Sequence, residues 1–103
     1  MITCFLKYEV KPDKLEDFEH YSRRWISLVE KFGGQHHGYF MPSEGASDIA
    51  YALFSFESLA AYEEYRKTAA DDPEVIEVMD FLKKTNCFER YERNFMRPIF
   101  EGK

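Results

Sequence analysis

With 103 residues the chain has room for one domain, residues 1–103, and its 10 Phe, 7 Tyr and 1 Trp supply enough ring surface to fill a core without staples. Charged residues at 32%, with only 5 Gly and 4 Pro, exclude a disordered chain. A formal net charge of -5 repels phosphate backbones, so no nucleic-acid partner is expected, and no apolar run approaches the ~20 residues of a membrane span.

In chain order, Ile2 to Val10 is predicted as a strand: Ile2, Cys4, Leu6, Tyr8 and Val10 form one apolar face, and Thr3, Phe5, Lys7 and Glu9 a mixed one. No basic segment precedes a long apolar run, so no signal peptide is expected; the protein is read as cytoplasmic with both cysteines reduced. Pro12 ends the strand and suits a first helical turn, and Asp13 with Glu16 fits a capping box. Leu15, Phe18, Ser22, Trp25, Val29 and Phe32 then step by three and four, an amphipathic helix of about five turns that Gly33-Gly34 stops.

Gln35 to Met41 is predicted as a second strand interrupted by Gly38, and Pro42 to Asp48 as a turn. Ile49 to Phe56 is a third strand, apolar on both faces apart from Ser55. Ser58 caps a second helix to about Ala70; Asp72-Pro73 breaks it and caps a third, carried by Val75, Val78, Met79 and Leu82. Phe88 to Phe100 alternates loosely as a last strand. The order βαββαβ, with its second helical segment broken, predicts an α+β, ferredoxin-like fold: an antiparallel four-stranded sheet with helices on one face.

Helices shield only one face of such a sheet. The third strand presents Ile49, Tyr51 and Leu53 on one side and Ala50, Ala52, Phe54 and Phe56 on the other, and Phe5, Tyr91 and Phe95 are expected to enlarge the uncovered side. Rings side by side on a surface mark an interface, so the partner expected is a second copy, a homodimer through the open sheet face. The alternative is that the rings are scattered among Lys7, Glu9, Arg90 and Arg93 and stay wet.

The chain resembles the NIPSNAP family of the dimeric α/β-barrel superfamily. Tyr8-Glu9-Val10-Lys11 and Pro12 are similar to its first-strand opening, and Phe18 and Trp25 to its first-helix aromatic positions. Gly34, Gly38-Tyr39-Phe40 and Glu44-Gly45 are similar to its second strand and turn, with Asp48 where Asn is usual; Ser58-Leu59-Ala60-Ala61, Arg66 and Asp72-Pro73 match its second-helix pattern. The resemblance implies two four-stranded sheets packed face to face with helices outside, and no assigned reaction. Relatives in the superfamily include cofactor-free monooxygenases, haem enzymes and stress-response domains, so fold alone does not carry function.

His36-His37 is the most tempting chemical feature. Strand neighbours point to opposite faces, so one of the pair faces a covered side, where imidazole serves as a base or a ligand. Two adjacent strand histidines do not chelate one ion readily, and His20 is the only other, so no metal and no cofactor are expected. The bland reading is a hydrogen-bonded or solvent-facing pair. Trp25, Tyr39 and His37 can line an apolar pocket between helix and sheet; against this, Trp25 in a helical stripe is ordinary core. The ligand-binding candidates are therefore Trp25, His36, His37 and Tyr39, with no catalytic residue identified.

Arg90, Arg93 and Arg97 recur along the last segment and suit a carboxylate or phosphate, but Glu89, Glu92 and Glu101 lie among them and offer ion pairs instead. Cys4 and Cys87 begin antiparallel neighbours at opposite ends, ~20 Å apart, too far for a disulfide. No phosphate loop, dinucleotide fingerprint, nucleophile elbow or zinc-helix motif occurs. Three readings stay open: a homodimeric barrel binding a small, partly apolar molecule, a non-catalytic interaction or scaffold protein, and a cofactor-independent monooxygenase-like enzyme.

Overall fold

The computed structural model describes residues 1–100; Glu101, one of the acids noted above, lies outside the described residues. The elements are β1 (Ile2–Val10), a 3-10 turn (Pro12–Lys14), α1 (Leu15–Lys31), β2 (Gln35–Phe40), β3 (Ile49–Phe56), α2 (Leu59–Ala70), α3 (Pro73–Thr85) and β4 (Phe88–Met96). The strands form one antiparallel sheet in the order β2-β3-β1-β4, which is the ferredoxin-like arrangement. The molecule's least dimension is 18 Å, the thickness of one sheet and one helical layer, so one sheet face has no layer of its own over it. No described helix is long and apolar enough to cross a membrane.

Local chemistry sets most of the boundaries. Ser58 Oγ accepts from the Ala61 N–H at 3.0 Å, and Asp72 Oδ1 from the Glu74 and Val75 N–H groups at 2.8 and 3.3 Å, satisfying orphan donors at both helix starts. Lys31 Nζ reaches Asp72 at 2.9 Å and Glu74 at 2.8 Å, joining the end of α1 to the start of α3. The Asp13–Glu16 capping box does not form. Pro12 opens a 3-10 turn instead, Lys14 takes the cap position, and neither side chain bonds to the backbone there. Ser22 sits in the buried stripe of α1 because its hydroxyl donates to the Phe18 carbonyl at 2.8 Å.

The helices cover the side of β1 and β3 that carries Cys4, Leu6, Tyr8 and Val10 with Ala50, Ala52, Phe54 and Phe56, all buried. Phe18, Val29 and Val78 enter this layer fully enclosed. The other side presents Phe5, Lys7, Glu9, Ile49, Tyr51 and Leu53. On β4 the parity differs from expectation. Phe5 pairs with Asn94, whereas Tyr91 stands opposite Tyr8 and Phe95 opposite Cys4, so Tyr91, Arg93 and Phe95 face the helices. The helical layer thins toward that edge, which leaves Tyr91 and Phe95 half exposed without moving them to the open face.

The strand ends at Met96, short of the expected Phe100. Pro98 removes a ladder donor, and the Phe100 ring lies 5.8 Å from that of His37, on the far edge strand. From β4 to β2 is three strand spacings, about 14 Å, which four extended residues just span. Residues 97–100 therefore cross the open face at one end, over Thr3 and Ser55, and both of those are buried. There Ser55 Oγ makes 2.7 Å hydrogen bonds with Thr3 Oγ1 and with His37 Nε2.

A candidate ligand cavity between helices and sheet

β2 decides which side chains meet. His36 pairs with Phe54 and Gly38 with Leu53, so His37 is an extra residue, a β-bulge. Gly38 takes φ +111°, a conformation side chains resist, which explains a glycine inside this strand. Plain alternation places His37 and Tyr39 on one face; the bulge instead aligns His36 with Tyr39 on the helical side and sends His37 to the open face. The expected trio of Trp25, Tyr39 and His37 is corrected in one member. The structure brings Trp25, His36 and Tyr39 together, and His37 bonds to Ser55 behind them.

These three line a cavity of about 310 Å³ between the helices and the sheet, at the small end of ligand pockets. Its floor is Leu6, Tyr8 and Phe54; its walls are Tyr21, Trp25 and Val29 from α1 and Tyr62, Tyr65 and Arg66 from α2. The exposed lining residues Arg66, Ala70, Met79 and Tyr91 mark a mouth between α2, α3 and β4. The His36 ring stacks on Tyr39 at 5.1 Å, and Trp25 meets Tyr21 edge-on at 6.4 Å.

The unpaired polar atoms of this lining are N–H donors. His36 Nδ1 accepts the Gly38 N–H at 2.9 Å, which places the proton of the neutral ring on Nε2. Trp25 Nε1 and Arg93 Nε are buried with no hydrogen-bond partner among the described residues. The Tyr21 hydroxyl approaches the indole closely enough to offset part of its own burial, yet falls short of hydrogen-bond geometry. Burial raises Tyr8, Tyr39 and Tyr65 far above the usual phenol range and pushes Tyr21 up to about 12, so these phenols are neutral. Among the described residues no carboxylate lines the cavity. Burial also raises Cys4 to about 11 and lifts Cys87; both thiols are buried and free, and neither is a nucleophile at neutral pH. Among the described residues no three of His, Cys, Asp and Glu converge as a metal site would require.

His36 is held near 4 against an ordinary 6.5, first by burial and then by the neighbouring His37, with Glu30 opposing. In the unfolded chain it takes up a proton near 6.5, so between 6.5 and 4 the unfolded state binds more protons and stability rises with pH. The contribution is complete above about 6.5, is lost as pH falls toward 4, and is flat below. The ring is only part-buried, so solvent screening reduces the full linkage to about 1–2 kcal/mol. Denaturant titrations at pH 7 and 4.5 should show that loss in the natural protein and not in His36→Gln; equal slopes in the two would mean that the ring titrates normally.

Arg93, which the sequence offered as an anion binder but assigned to ion pairs, forms no ion pair among the described residues, and with Arg66, which the sequence did not offer as a binding residue, it makes the cavity's charged wall. Each donates through an Nη to the Tyr62 hydroxyl at 2.9 Å. The signal available was parity. Tyr91, Arg93 and Phe95 alternate with Arg90, Glu92 and Asn94, so Arg93 belongs to the aromatic face of β4, while Arg90 on the other face pairs with Glu9 at 3.2 Å and Glu92 at 3.8 Å.

Solved structures of several proteins share this architecture. The NIPSNAP family protein Atu4242 of Agrobacterium tumefaciens superposes with a TM-score of 0.83 at 20% identity, covering 96% of this chain and 94% of that one. An uncharacterized NIPSNAP domain protein from Burkholderia xenovorans gives 0.76 at 16% identity, over 96% and 95%. A candidate antibiotic biosynthesis monooxygenase from Nitrosomonas europaea gives 0.73 at 12% identity, over 97% and 100%. At these identities the likeness shows the fold. No match was found among curated proteins. The NIPSNAP family model matches residues 4–100, nearly the whole length, and the chain belongs to the NIPSNAP family.

Proposed function

We propose that the protein is a cytoplasmic homodimeric barrel that binds a small, partly apolar molecule in the cavity between its helices and its sheet. The observation that carries this reading is the pairing of an apolar, ring-lined space with two buried N–H groups, on Trp25 and Arg93, that have no partner among the described residues. Burying such a donor unpaired costs about 1–3 kcal/mol, a cost that an acceptor on a bound molecule removes. Trp25, His36 and Tyr39 are the ligand-facing candidates. His37 and Ser55 belong to the other face, where the second copy packs. Two features support that partner. Phe5, Tyr51, Leu53 and Phe40 form an apolar strip in the middle of the open face, and beside them Lys7, Glu9, Arg90 and Glu92 alternate in sign, a pattern a two-fold axis can match to itself.

A monooxygenase-like activity is the second reading, favoured by the shared architecture with the Nitrosomonas europaea protein. The described lining offers it little acid–base chemistry: no carboxylate, buried phenols, and an imidazole whose free nitrogen already bears its proton.

The chain's single tryptophan makes the binding test direct. Native mass spectrometry of the purified protein should reveal a bound small molecule or its uptake from a panel of apolar acids and alcohols, with a change in Trp25 emission on binding. Mass uptake without any Trp25 response places the ligand elsewhere, and absence of uptake favours the scaffold reading.

A further inference from the structure

The sharing of one phenol oxygen by two guanidinium groups is costly unless something else neutralises them. Arg93 and Arg66 both place an Nη 2.9 Å from Tyr62 Oη, and neither forms an ion pair among the described residues. Like charges this close repel, most where the local dielectric is low. Among the described residues the lining around them contains no acid. The donors, moreover, are not spent. Arg93 Nε is buried and unpaired among the described residues, and Tyr62 Oη, already accepting twice, has its own O–H to donate. Arg93 is half-buried and Arg66 stands exposed at the mouth, so one guanidinium reaches inward and the other guards the entrance. The field of Arg93 extends across the cavity, favouring the ionised forms of Cys4, Tyr8, Tyr21 and Tyr65 against their burial.

We propose that the cavity selects an organic carboxylate, an apolar body of one or two rings with its acid group bound by Arg93, Tyr62 and Arg66. This rests on the ligand-binding reading above and adds the ligand's charge to it. The apolar body lies against Trp25, Tyr39 and Phe54, and the carboxylate supplies the acceptor that Arg93 Nε lacks. Charge-assisted bonds to guanidinium are about twice as strong as neutral ones, and two of them make a planar fork that fits a carboxylate. A volume of about 310 Å³ limits the body to a small ligand.

The test compares 2-naphthoate with 2-naphthylmethanol, the same rings with and without the charge, by isothermal titration calorimetry on the full chain. The natural protein should bind the acid about tenfold or more tightly than the alcohol. Arg93→Gln should bring the ratio close to one by weakening the acid far more than the alcohol, and Arg66→Gln, at an exposed helical position, should reduce the ratio without affecting the fold. Should Arg93→Gln not fold, Arg66→Gln carries the comparison. Equal binding of acid and alcohol by the natural protein overturns the charge assignment and leaves the cavity reading intact. A preference for the acid that survives both substitutions places the anion elsewhere and also overturns it. Binding of neither compound removes the cavity reading and this proposal with it.

Discussion

A Leu53→Glu chain should sediment as single chains at micromolar concentrations where the natural chain should sediment as pairs. Leu53 stands at the centre of the uncovered side of the sheet, between Phe5 on β1 and Gly38 on β2. Apart from the adjoining residues, no described atom lies within 4 Å of where a Cβ on Gly38 would stand, so the surface beside Leu53 is dented, a place for a partner's side chain. Phe5 and Tyr51 meet at 5.4 Å on its other flank. In an isolated chain a glutamate here faces water and costs the fold little. In a sheet-on-sheet dimer the same carboxylate is buried without a counter-charge, and an anchor is lost from the middle of the contact. Together these cost about 4 kcal/mol or more, about a thousandfold in Kd. The natural protein's melting temperature should rise with concentration, since dimerisation stabilises the fold by mass action, and that of Leu53→Glu should not. A natural chain that sediments singly, or a variant that still pairs, removes the open face as the interface.

The same substitution separates the two faces functionally. The cavity opens between α2, α3 and β4, on the helical side, and none of its lining residues is on the open face. A monomeric Leu53→Glu protein should therefore still bind its ligand, with affinity changed only as far as pairing holds the sheet rigid.

How much of this the sequence disclosed depends on how local the cause was. β1 was readable because nine residues alternate cleanly, and the break between α2 and α3 because Asp72-Pro73 carries its own capping chemistry. The α1 start was misread because a capping box and a 3-10 turn opened by proline draw on the same residues, and only the backbone path out of β1 selects between them. The bulge at His37 was signalled by Gly38, but a glycine in a strand marks an irregularity without giving its direction. One inserted residue exchanges the faces of His36 and His37. The parity of β4 was legible in principle, since Tyr91, Arg93 and Phe95 alternate with Arg90, Glu92 and Asn94. What hid it was the assumption that rings on an edge strand belong to the dimer face. The meeting of Arg93, Tyr62 and Arg66 depends on how α2 crosses the sheet, which no local pattern encodes.

Phe18→Ala should be the most damaging core substitution near the site. The ring is fully enclosed and touches four aromatic neighbours: Tyr8 at 5.0 Å, Tyr39 at 5.9 Å, Phe88 at 6.0 Å and Tyr21 at 6.1 Å between centroids. Removing a buried phenylalanine costs about 3–5 kcal/mol, the upper end where neighbours cannot collapse into the void. Here two effects compete. The neighbours are large rings fixed by their own contacts, which resists collapse. All four, however, also line the cavity, so they have room to shift, and any movement toward the void enlarges the cavity they leave. We therefore expect a loss near 3 kcal/mol, a fall of about 12 °C or more in melting temperature for a domain of this size, with weakened ligand binding because Tyr39 and Tyr21 have moved. Phe18→Leu keeps most of the volume and should cost under about 1.5 kcal/mol. If Phe18→Ala melts within a few degrees of the natural protein, the ring is not the enclosed support of the cavity wall, and the packing that positions Tyr39 against His36 must come from elsewhere.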